Sequence, residues 1–348
     1  MKGIFKFVMI FWGAILFLLS GTFALGEQLK LTPVDKVVIL ELYGDNTYPL
    51  GKSDNIVTRL GDTRSTGRIS PPLAAHGMGV WVEISVDGKK RTLLFDAGDR
   101  ADVMVENFRY FGKNPEEIEA IAVSHGHSDH FGGLAEVLKA IKPKNKKIPI
   151  YTGSNDAFAT RYIKTESGEL KGPWTWSKED TEHSGGQLFV GGPRLLLDGL
   201  ALYTGSIPYI TSYENINPGG GKGWCVKQEN GEIKMIDMPE EGALVINLKN
   251  RGLVVLSGCT HRGTVNTLKQ AQNLTGIKAV YARYGSFQKA DKDKLIEDLL
   301  LIKPTIFIGT HCAMDKPELI GAFKTVFPQN GMTYYQSVIG SQFTFSSE

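Results

Sequence analysis

The sequence predicts an α/β protein in which two mixed β-sheets face each other and helices cover the outside. Two observations support this prediction. A β-rich hairpin followed by alternating helical and strand-like segments occurs twice along the chain. In addition, no Pro/Ser-rich or charged linker divides the chain after its N-terminal segment. We therefore expect one elaborated domain over residues 27–348.

The first hairpin and its α/β units occupy the N-terminal half of the chain. Asp87-Gly88 predicts a tight turn between two β-rich runs. The predicted elements of this half are strands at residues 37–42, 80–86, 91–95 and 118–123 and helices at residues 101–111 and 134–141.

The same plan returns in the C-terminal half, where a turn at residues 250–252 joins two apolar runs. The predicted elements are strands at residues 243–248, 253–256, 277–281 and 305–308 and helices at 265–272 and from near Lys292 and Lys316. Residues 153–236 lie between the halves, lack clear periodicity and contain several aromatic residues. We expect this segment to be a variable, substrate-facing region, although a simple cover for the sandwich fits the pattern equally well.

The N-terminal 26 residues have the pattern of a signal peptide. Lys2 and Lys6 precede a charge-free apolar run at residues 7–19, and small residues follow at Ala24 and Gly26. The run is shorter than the about 20 residues that a membrane span needs. We expect cleavage and export to the periplasm or the medium, with an uncleaved anchor at residues 7–19 as the alternative.

Composition limits the partners. The 39 basic and 37 acidic residues give a formal net charge of +2, which indicates no affinity for nucleic acid. We expect a small-molecule substrate, and membrane contact only through the N-terminal segment. The three cysteines predict no disulfide framework. Cys259 and Cys312 each neighbour a candidate histidine ligand, whereas Cys225 has no predicted role.

The segment of residues 124–130 predicts a metal site directly after an apolar strand. It holds His125, His127, Asp129 and His130 within six positions, although the chain has only seven histidines. Imidazole and carboxylate suit zinc, iron or manganese better than magnesium or calcium. His125 and His127 can share one ion, while Asp129 and His130 turn toward a second. The alternative, a polar turn with Asp129 as a helix cap, explains only the aspartate.

Two later strands also end in candidate ligands. Cys259 and His261 follow the strand at residues 253–256, and His311 follows the strand at 305–308. His261 could instead cap the next helix, and His183 is then the alternative ligand. Cys259 is the less secure of the two candidates, because a soft thiolate changes the metal preference and invites oxidation.

These motifs resemble those of the metallo-β-lactamase superfamily, whose signature is H-x-H-x-D-H after a strand. Within it, the chain is similar to the branch of dihydropterin-methyl-ribofuranosyl-aminobenzene-phosphate synthases. The similar segments, in order, are Asp45-Asn46, Ala75-His76-Gly77-Met78-Gly79, Leu94-Phe95-Asp96-Ala97-Gly98, Ser124 to Gly133, Thr204 to Pro208, Ser257 to Gly263 with Asn266, and Thr310-His311-Cys312.

The resemblance implies an αββα sandwich whose ligand loops meet along one edge of the sheets. It implies that Asp96 accepts a hydrogen bond from a ligand imidazole and fixes its tautomer. His76 resembles a position near the pocket of this branch and is not expected to be a ligand. Two residues differ from these patterns. Cys259 occupies the place where much of the superfamily has a bridging aspartate, and Gln288 occupies the place where the synthase branch has a histidine.

The expected cofactors are two divalent ions, zinc by preference and iron or manganese as alternatives. Such a centre lowers the pKa of a bound water and presents hydroxide to an ester, lactone, thioester or phosphoester. We expect Asp129 and His130 to be catalytic as well as ligands. Because pterin diphosphates belong to the cytosol, an exported chain is expected to be a hydrolase. Synthase-like transfer, a noncatalytic metal-binding role and iron-dependent redox chemistry are the alternatives.

Overall fold

The computed structural model describes residues 28–47, 52–68, 70–141, 147–214, 223–288 and 290–348. The predicted signal peptide, residues 1–26, lies outside the described residues. Among the residues that are described, no helix is long and apolar enough to cross a membrane.

The first sheet has eight strands in the order β2-β19-β1-β3-β4-β5-β6-β9. These strands are β1 (Lys36–Tyr43), β2 (Val57–Arg59), β3 (Gly79–Val86), β4 (Lys89–Phe95), β5 (Ala120–Ala122), β6 (Ile148–Thr152), β9 (Gly186–Val190) and β19 (Ser341–Ser346). β1, β3 and β4 are antiparallel, whereas β4, β5, β6 and β9 run parallel.

The second sheet has seven strands in the order β10-β11-β14-β15-β16-β17-β18. They are β10 (Arg194–Leu196), β11 (Ala201–Tyr203), β14 (Ala243–Leu248), β15 (Gly252–Ser257), β16 (Val280–Gly285), β17 (Ile306–Gly309) and β18 (Thr333–Gln336). β14 and β15 form an antiparallel hairpin, and β15 to β18 are parallel.

Four strands form a third, smaller sheet in the order β13-β12-β7-β8. They are β7 (Arg161–Lys164), β8 (Leu170–Trp174), β12 (Gly223–Lys227) and β13 (Ile233–Met235). The region at residues 153–236 is therefore divided, because β9, β10 and β11 join the two large sheets while only the other four strands lie apart.

The α-helices are α1 (Thr63–Thr66), α2 (Ala101–Tyr110), α3 (Ser128–Phe131), α4 (Leu134–Ile141), α5 (Lys178–His183), α6 (Thr264–Thr275), α7 (Lys292–Ile302) and α8 (Pro317–Gln329). α2 and α4 pack on the first sheet, and their apolar sides share a core with its outward residues. α6, α7 and α8 cover the second sheet in the same way.

Alternating side chains of each central strand enter different cores. In β1, Val37 and Ile39 enter the core between the sheets, whereas Leu40 and Leu42 face the helices. This burial of both faces is what near-continuous apolar strands predict. The αββα sandwich is thus confirmed.

Among the differences from the sequence prediction, two concern β16 and the C-terminal strand, while β2, β6 and β18 also have no predicted counterpart. β16 begins at Val280 rather than at residue 277, because the polar turn after α6 extends further than the apolar pattern indicates. The C-terminal strand β19, which pairs with β1 and β2, is missing from the prediction. Its Phe343 and Phe345 are fully buried at alternate positions, a period-2 signal that the short terminal run offered.

Candidate metal centre

Three loops meet at one edge of the sandwich, where β5, β15 and β17 end. The β5 loop carries His125 and His127 and leads into α3, which carries Asp129 and His130. The loops after β15 and β17 bring Cys259, His261 and His311. Parallel strands place their carboxyl ends on the same side, so these loops converge although they are far apart in sequence.

His125, His127 and His261 form the first group of donors. One ring nitrogen from each lies within 4.8 Å of the others. His125 Nε2 is 2.9 Å from His127 Nδ1. The Nε2 atoms of His127 and His261 are buried and make no hydrogen bond with the protein. Such unpaired nitrogens are costly in a folded protein, and a bound metal ion would satisfy them.

These three imidazoles are held in the neutral form. Burial, together with the neighbouring histidines, lowers the pKa of His125 and His127 well below the usual value. For His261, burial and the charge of His130 lower the pKa to about 3. Neutral imidazole is the form that coordinates a metal, so the donors are ready for an ion without losing protons.

Asp129, His130 and His311 form the second group of donors. Asp129 Oδ2 lies 3.1 Å from His311 Nε2 and 3.5 Å from His130 Nε2. Burial opposes charge on Asp129, but His130 and His311 outweigh it and lower the pKa of the carboxyl group. The carboxylate is therefore anionic and can neutralise part of the charge of a divalent ion.

Asp96 connects the strand β4 to the β5 loop. Its Oδ2 is 2.7 Å from His130 Nδ1 and accepts a hydrogen bond from Ser124 Oγ at 2.8 Å. Its Oδ1 accepts from the Ser124 backbone N at 2.6 Å. The structure thus places Asp96 where the sequence predicts it, behind a ligand imidazole. Because Nδ1 of His130 is engaged by Asp96, its Nε2 is the atom that faces Asp129.

Asp45 plays the same part for His311, a role that the sequence did not indicate. Its Oδ2 is 2.6 Å from His311 Nδ1, and its Oδ1 is 2.7 Å from His76 Nδ1. Burial opposes charge on His311, yet its bonds to Asp129 and Asp45 raise its pKa to about 12. His76 Nε2 in turn lies 3.4 Å from Asp129 Oδ2. His76 is exposed and stands at the mouth of the site, where it completes a ring with Asp45, His311 and Asp129.

Two thiols face the second donor group. Cys259 Sγ lies 3.2 Å from His130 Nε2 and 3.6 Å from Cys312 Sγ. The contact between the thiols raises the pKa of Cys259 and lowers the pKa of Cys312. Cys259 therefore lies at the site, as predicted. The proximity of Cys312 follows from the turn of the chain after His311.

A pair of buried glutamates fixes the loops and was missed by the sequence prediction. Glu240 Oε1 accepts hydrogen bonds from the Gly126 backbone N at 2.9 Å and from Arg161 Nη2 at 2.7 Å. Glu241 accepts from the backbone N of His261 at 3.0 Å and of Arg262 at 2.7 Å. The only signal in the sequence is the acidic dipeptide before β14, which resembles an exposed turn.

Gly126 is the central residue of the H-x-H motif, and it has no space for a side chain. A Cβ atom there would lie 2.3 Å from the Ala157 carbonyl oxygen and would overlap Arg161. The loop can therefore pass close to β7 and its neighbours only with glycine at this position.

Aromatic side chains of the third sheet cover the first donor group. Trp224 stacks on the ring of His127 with centroids 4.0 Å apart and an interplanar angle of 25°. Trp174 contacts Trp224 edge-on at 5.4 Å. His183, the alternative ligand, lies elsewhere: it is exposed at the end of α5, with its Nδ1 2.9 Å from the Glu179 carbonyl oxygen.

The residues present fit a pair of metal ions. The unpaired Nε2 atoms of His127 and His261 suit an ion bound by imidazoles. The carboxylate and imidazole donors of the second group, with the thiol of Cys259 beside them, suit zinc or iron. His125 belongs to the first group and also lies within 4.8 Å of His130 and Cys259, so the two groups are adjacent.

A sandwich of this kind, with two donor groups at one edge, defines a class of metal-dependent enzymes. Residues 80–215 match the family model of the metallo-β-lactamase superfamily. The chain belongs to this superfamily, whose members typically bind metal ions.

Two individual proteins and one crystal structure are similar to this chain within the superfamily. The 7,8-dihydropterin-6-methyl-4-(β-D-ribofuranosyl)-aminobenzene-5'-phosphate synthase of Methanocaldococcus jannaschii is 32% identical over 73% of this chain and 85% of its own. An uncharacterised protein of the same organism is 27% identical over 60% of this chain and 71% of its own. A crystal structure described as a metal-dependent hydrolase of the β-lactamase superfamily aligns with 89% of this chain and 99% of its own, at a TM-score of 0.63 and 18% identity. The first relative agrees with the branch that the motifs resemble.

We predict that His127→Ala lowers the bound metal from about two ions to about one or fewer per chain, because the variant lacks one of three donors. Elemental analysis after dialysis against zinc measures the content. His183→Ala is the matched control and should keep both ions. Equal metal content in the two variants would show that His127 is not a metal ligand.

We predict that Glu240→Gln lowers the free energy of unfolding by about 3–5 kcal/mol, because it leaves Arg161 buried without a compensating charge. Arg161 and Glu240 are 1% and 0% exposed at the side chain. Urea unfolding measures the change. Glu232→Gln, at an exposed position, is the control and should alter stability by less than about 0.5 kcal/mol. Similar stability of both variants would contradict the prediction.

Proposed function

We propose that the protein is a metal-dependent transferase of the synthase type, with two zinc ions as its cofactors. The observation that carries the proposal is the convergence of two buried donor groups at one edge of the sandwich. The direction of the chemistry comes from the similarity to the synthase, which extends over most of both chains. In such a reaction an aminobenzene riboside phosphate displaces the diphosphate of an activated pterin.

The donors have separable tasks in this proposal. Bound divalent ions supply Lewis acidity, which stabilises the negative charge of a departing diphosphate. Asp129 and His130 would hold one of these ions. Asp45 and Asp96 each keep one ligand imidazole in a fixed orientation through hydrogen bonds of 2.6 and 2.7 Å. A fixed donor set avoids reorganisation when charge develops on the leaving group.

The third sheet supports an aromatic substrate. Trp224 and Trp174 present ring surfaces next to His127. Planar rings of this kind bind flat aromatic groups by offset stacking or by edge contacts. A pterin or an aminobenzene ring placed on Trp224 would lie beside the first ion, and its reacting atoms would be close to both donor groups.

One residue departs from the synthase branch without disturbing the site. Gln288, which stands where the branch has histidine, donates a hydrogen bond from Nε2 to the Cys259 carbonyl oxygen at 2.9 Å. Glutamine keeps this loop in place but exchanges no proton. Any proton transfer that the branch assigns to that histidine has to come from another group here, and the exposed His76 at the mouth of the site is a candidate.

Hydrolysis is the second candidate, and the signal-like N-terminus favours it. Export would separate the protein from cytosolic pterin diphosphates and leave water as the acceptor at the same centre. This second candidate includes export, on the N-terminal pattern alone, with the mature chain beginning near Leu25 or Glu27. The intact mass of the protein from the producing cell distinguishes cleavage from a membrane anchor.

We predict that the zinc-loaded protein releases diphosphate from a dihydropterin diphosphate only when the aminobenzene riboside phosphate is present. Asp129→Asn should lower this rate by about 100-fold or more, because the second ion loses an anionic donor. A coupled diphosphate assay measures both, with His183→Ala as the control at full rate.

Other outcomes of this assay distinguish the candidate functions. Diphosphate release that is independent of the acceptor, or turnover of lactones and esters instead, would favour the hydrolase. A protein with both ions bound and no turnover of any of these substrates would be a noncatalytic metal-binding protein.

A further inference from the structure

We propose that Cys312 is a second thiolate donor to the ion that the second group of residues binds. The inference rests on the proposed metal centre and extends it, because the centre then holds two cysteines rather than one. It also selects the metal: two thiolates favour zinc or another thiophilic ion over manganese and magnesium.

The first support is the distance between the two sulfurs. Cys259 Sγ and Cys312 Sγ are 3.6 Å apart. Two thiolates bound to one zinc at bonds of about 2.3 Å and a tetrahedral angle would be separated by about 3.8 Å. The observed separation is within about 0.2 Å of this value, so both sulfurs could bind one tetrahedral ion with little movement.

The second support is a shared partner. One donor atom from each of Cys259, His311 and Cys312 lies within 4.8 Å of the other two. Because His311 Nδ1 is engaged by Asp45, its Nε2 is the atom left for an ion. Cys312 therefore faces the same point as two residues that the sequence already predicts as ligands.

The third support is the backbone beside each thiol. Thr260, which follows Cys259, has φ 54°, and His311, which precedes Cys312, has φ 47°. Non-glycine residues rarely adopt these angles, and such strain concentrates at binding sites. Each loop thus turns sharply next to its cysteine, which directs both sulfurs into the site.

Cys225 provides a contrast. It is also buried, but it lies on β12 in the third sheet, with its Sγ 3.5 Å from the Tyr162 carbonyl oxygen. It belongs to none of the donor groups found among the described residues. A substitution of Cys225 therefore tests the effect of losing a buried thiol as such.

Cobalt substitution tests the inference directly. The protein is reduced, freed of metal and loaded with Co²⁺, and the thiolate-to-cobalt charge-transfer absorption is recorded. We expect Cys312→Ser and Cys259→Ser each to lose about half of the band and the double variant to lose all of it. Cys225→Ser should keep the whole band. A full band in Cys312→Ser would overturn the inference.

Alkylation of the unmodified chain gives a second test that depends on no variant folding. The reduced protein is treated with iodoacetamide with and without bound zinc, and the modified cysteines are identified by mass spectrometry. Zinc should protect Cys312 as well as Cys259. Equal labelling of Cys312 in both states would overturn the inference.

Neither measurement depends on turnover, so failure of the transfer assay leaves the result unaffected. Absence of the charge-transfer band from the unmodified chain, with two cobalt ions still bound by elemental analysis, would overturn the thiolate assignment alone, whereas loss of the second ion itself would overturn the metal centre on which it rests.

Discussion

The position of the site depends on the buried dipeptide Glu240-Glu241. Glu240 binds the backbone of the β5 loop at Gly126, and Glu241 binds the backbone of the β15 loop at His261 and Arg262. Two loops from opposite sheets are thereby attached to adjacent residues. Their relative position is therefore set by hydrogen bonds to two side chains that are adjacent along the backbone. Both side chains are almost fully buried, where a hydrogen bond is stronger than its counterpart in water, and burial raises the pKa of Glu241 to about 7.

Carboxylate groups also fix two of the candidate ligand side chains. Asp96 fixes His130, and Asp45 fixes His311, in each case through the Nδ1 atom. The Nε2 atoms of both histidines are consequently the ones that point toward Asp129, the third member of the second donor group. Such outer partners determine the orientation and the basicity of a ligand, so the site can be organised before any ion binds. The cost appears in the backbone, where Asp96, Thr260 and His311 all have positive φ.

The sequence predicts the sandwich well because its evidence is local. Period-2 and period-3.6 patterns, a tight turn at Asp87-Gly88 and one dense ligand motif are each contained in a few residues. The candidate ligands were found for the same reason, since each follows an apolar strand. What the sequence could not supply is the partner of a residue across the fold. Asp45 reaches a histidine 266 positions away, and nothing near either residue indicates the pair. A buried acidic dipeptide likewise has the same composition as an exposed turn, and only its burial distinguishes it.

The two donor groups differ in charge, so ions bound to them would differ in Lewis acidity. The first group consists of three imidazoles that burial keeps neutral, so an ion bound there would retain its full positive charge. The second group contains the anionic Asp129, so the charge of an ion there would be partly neutralised. An ion held by the first group would then be the stronger Lewis acid, and His127 of that group lies beneath Trp224 of the third sheet. The electrophilic end of a substrate is accordingly expected on that side, with the leaving group directed toward the exposed His76.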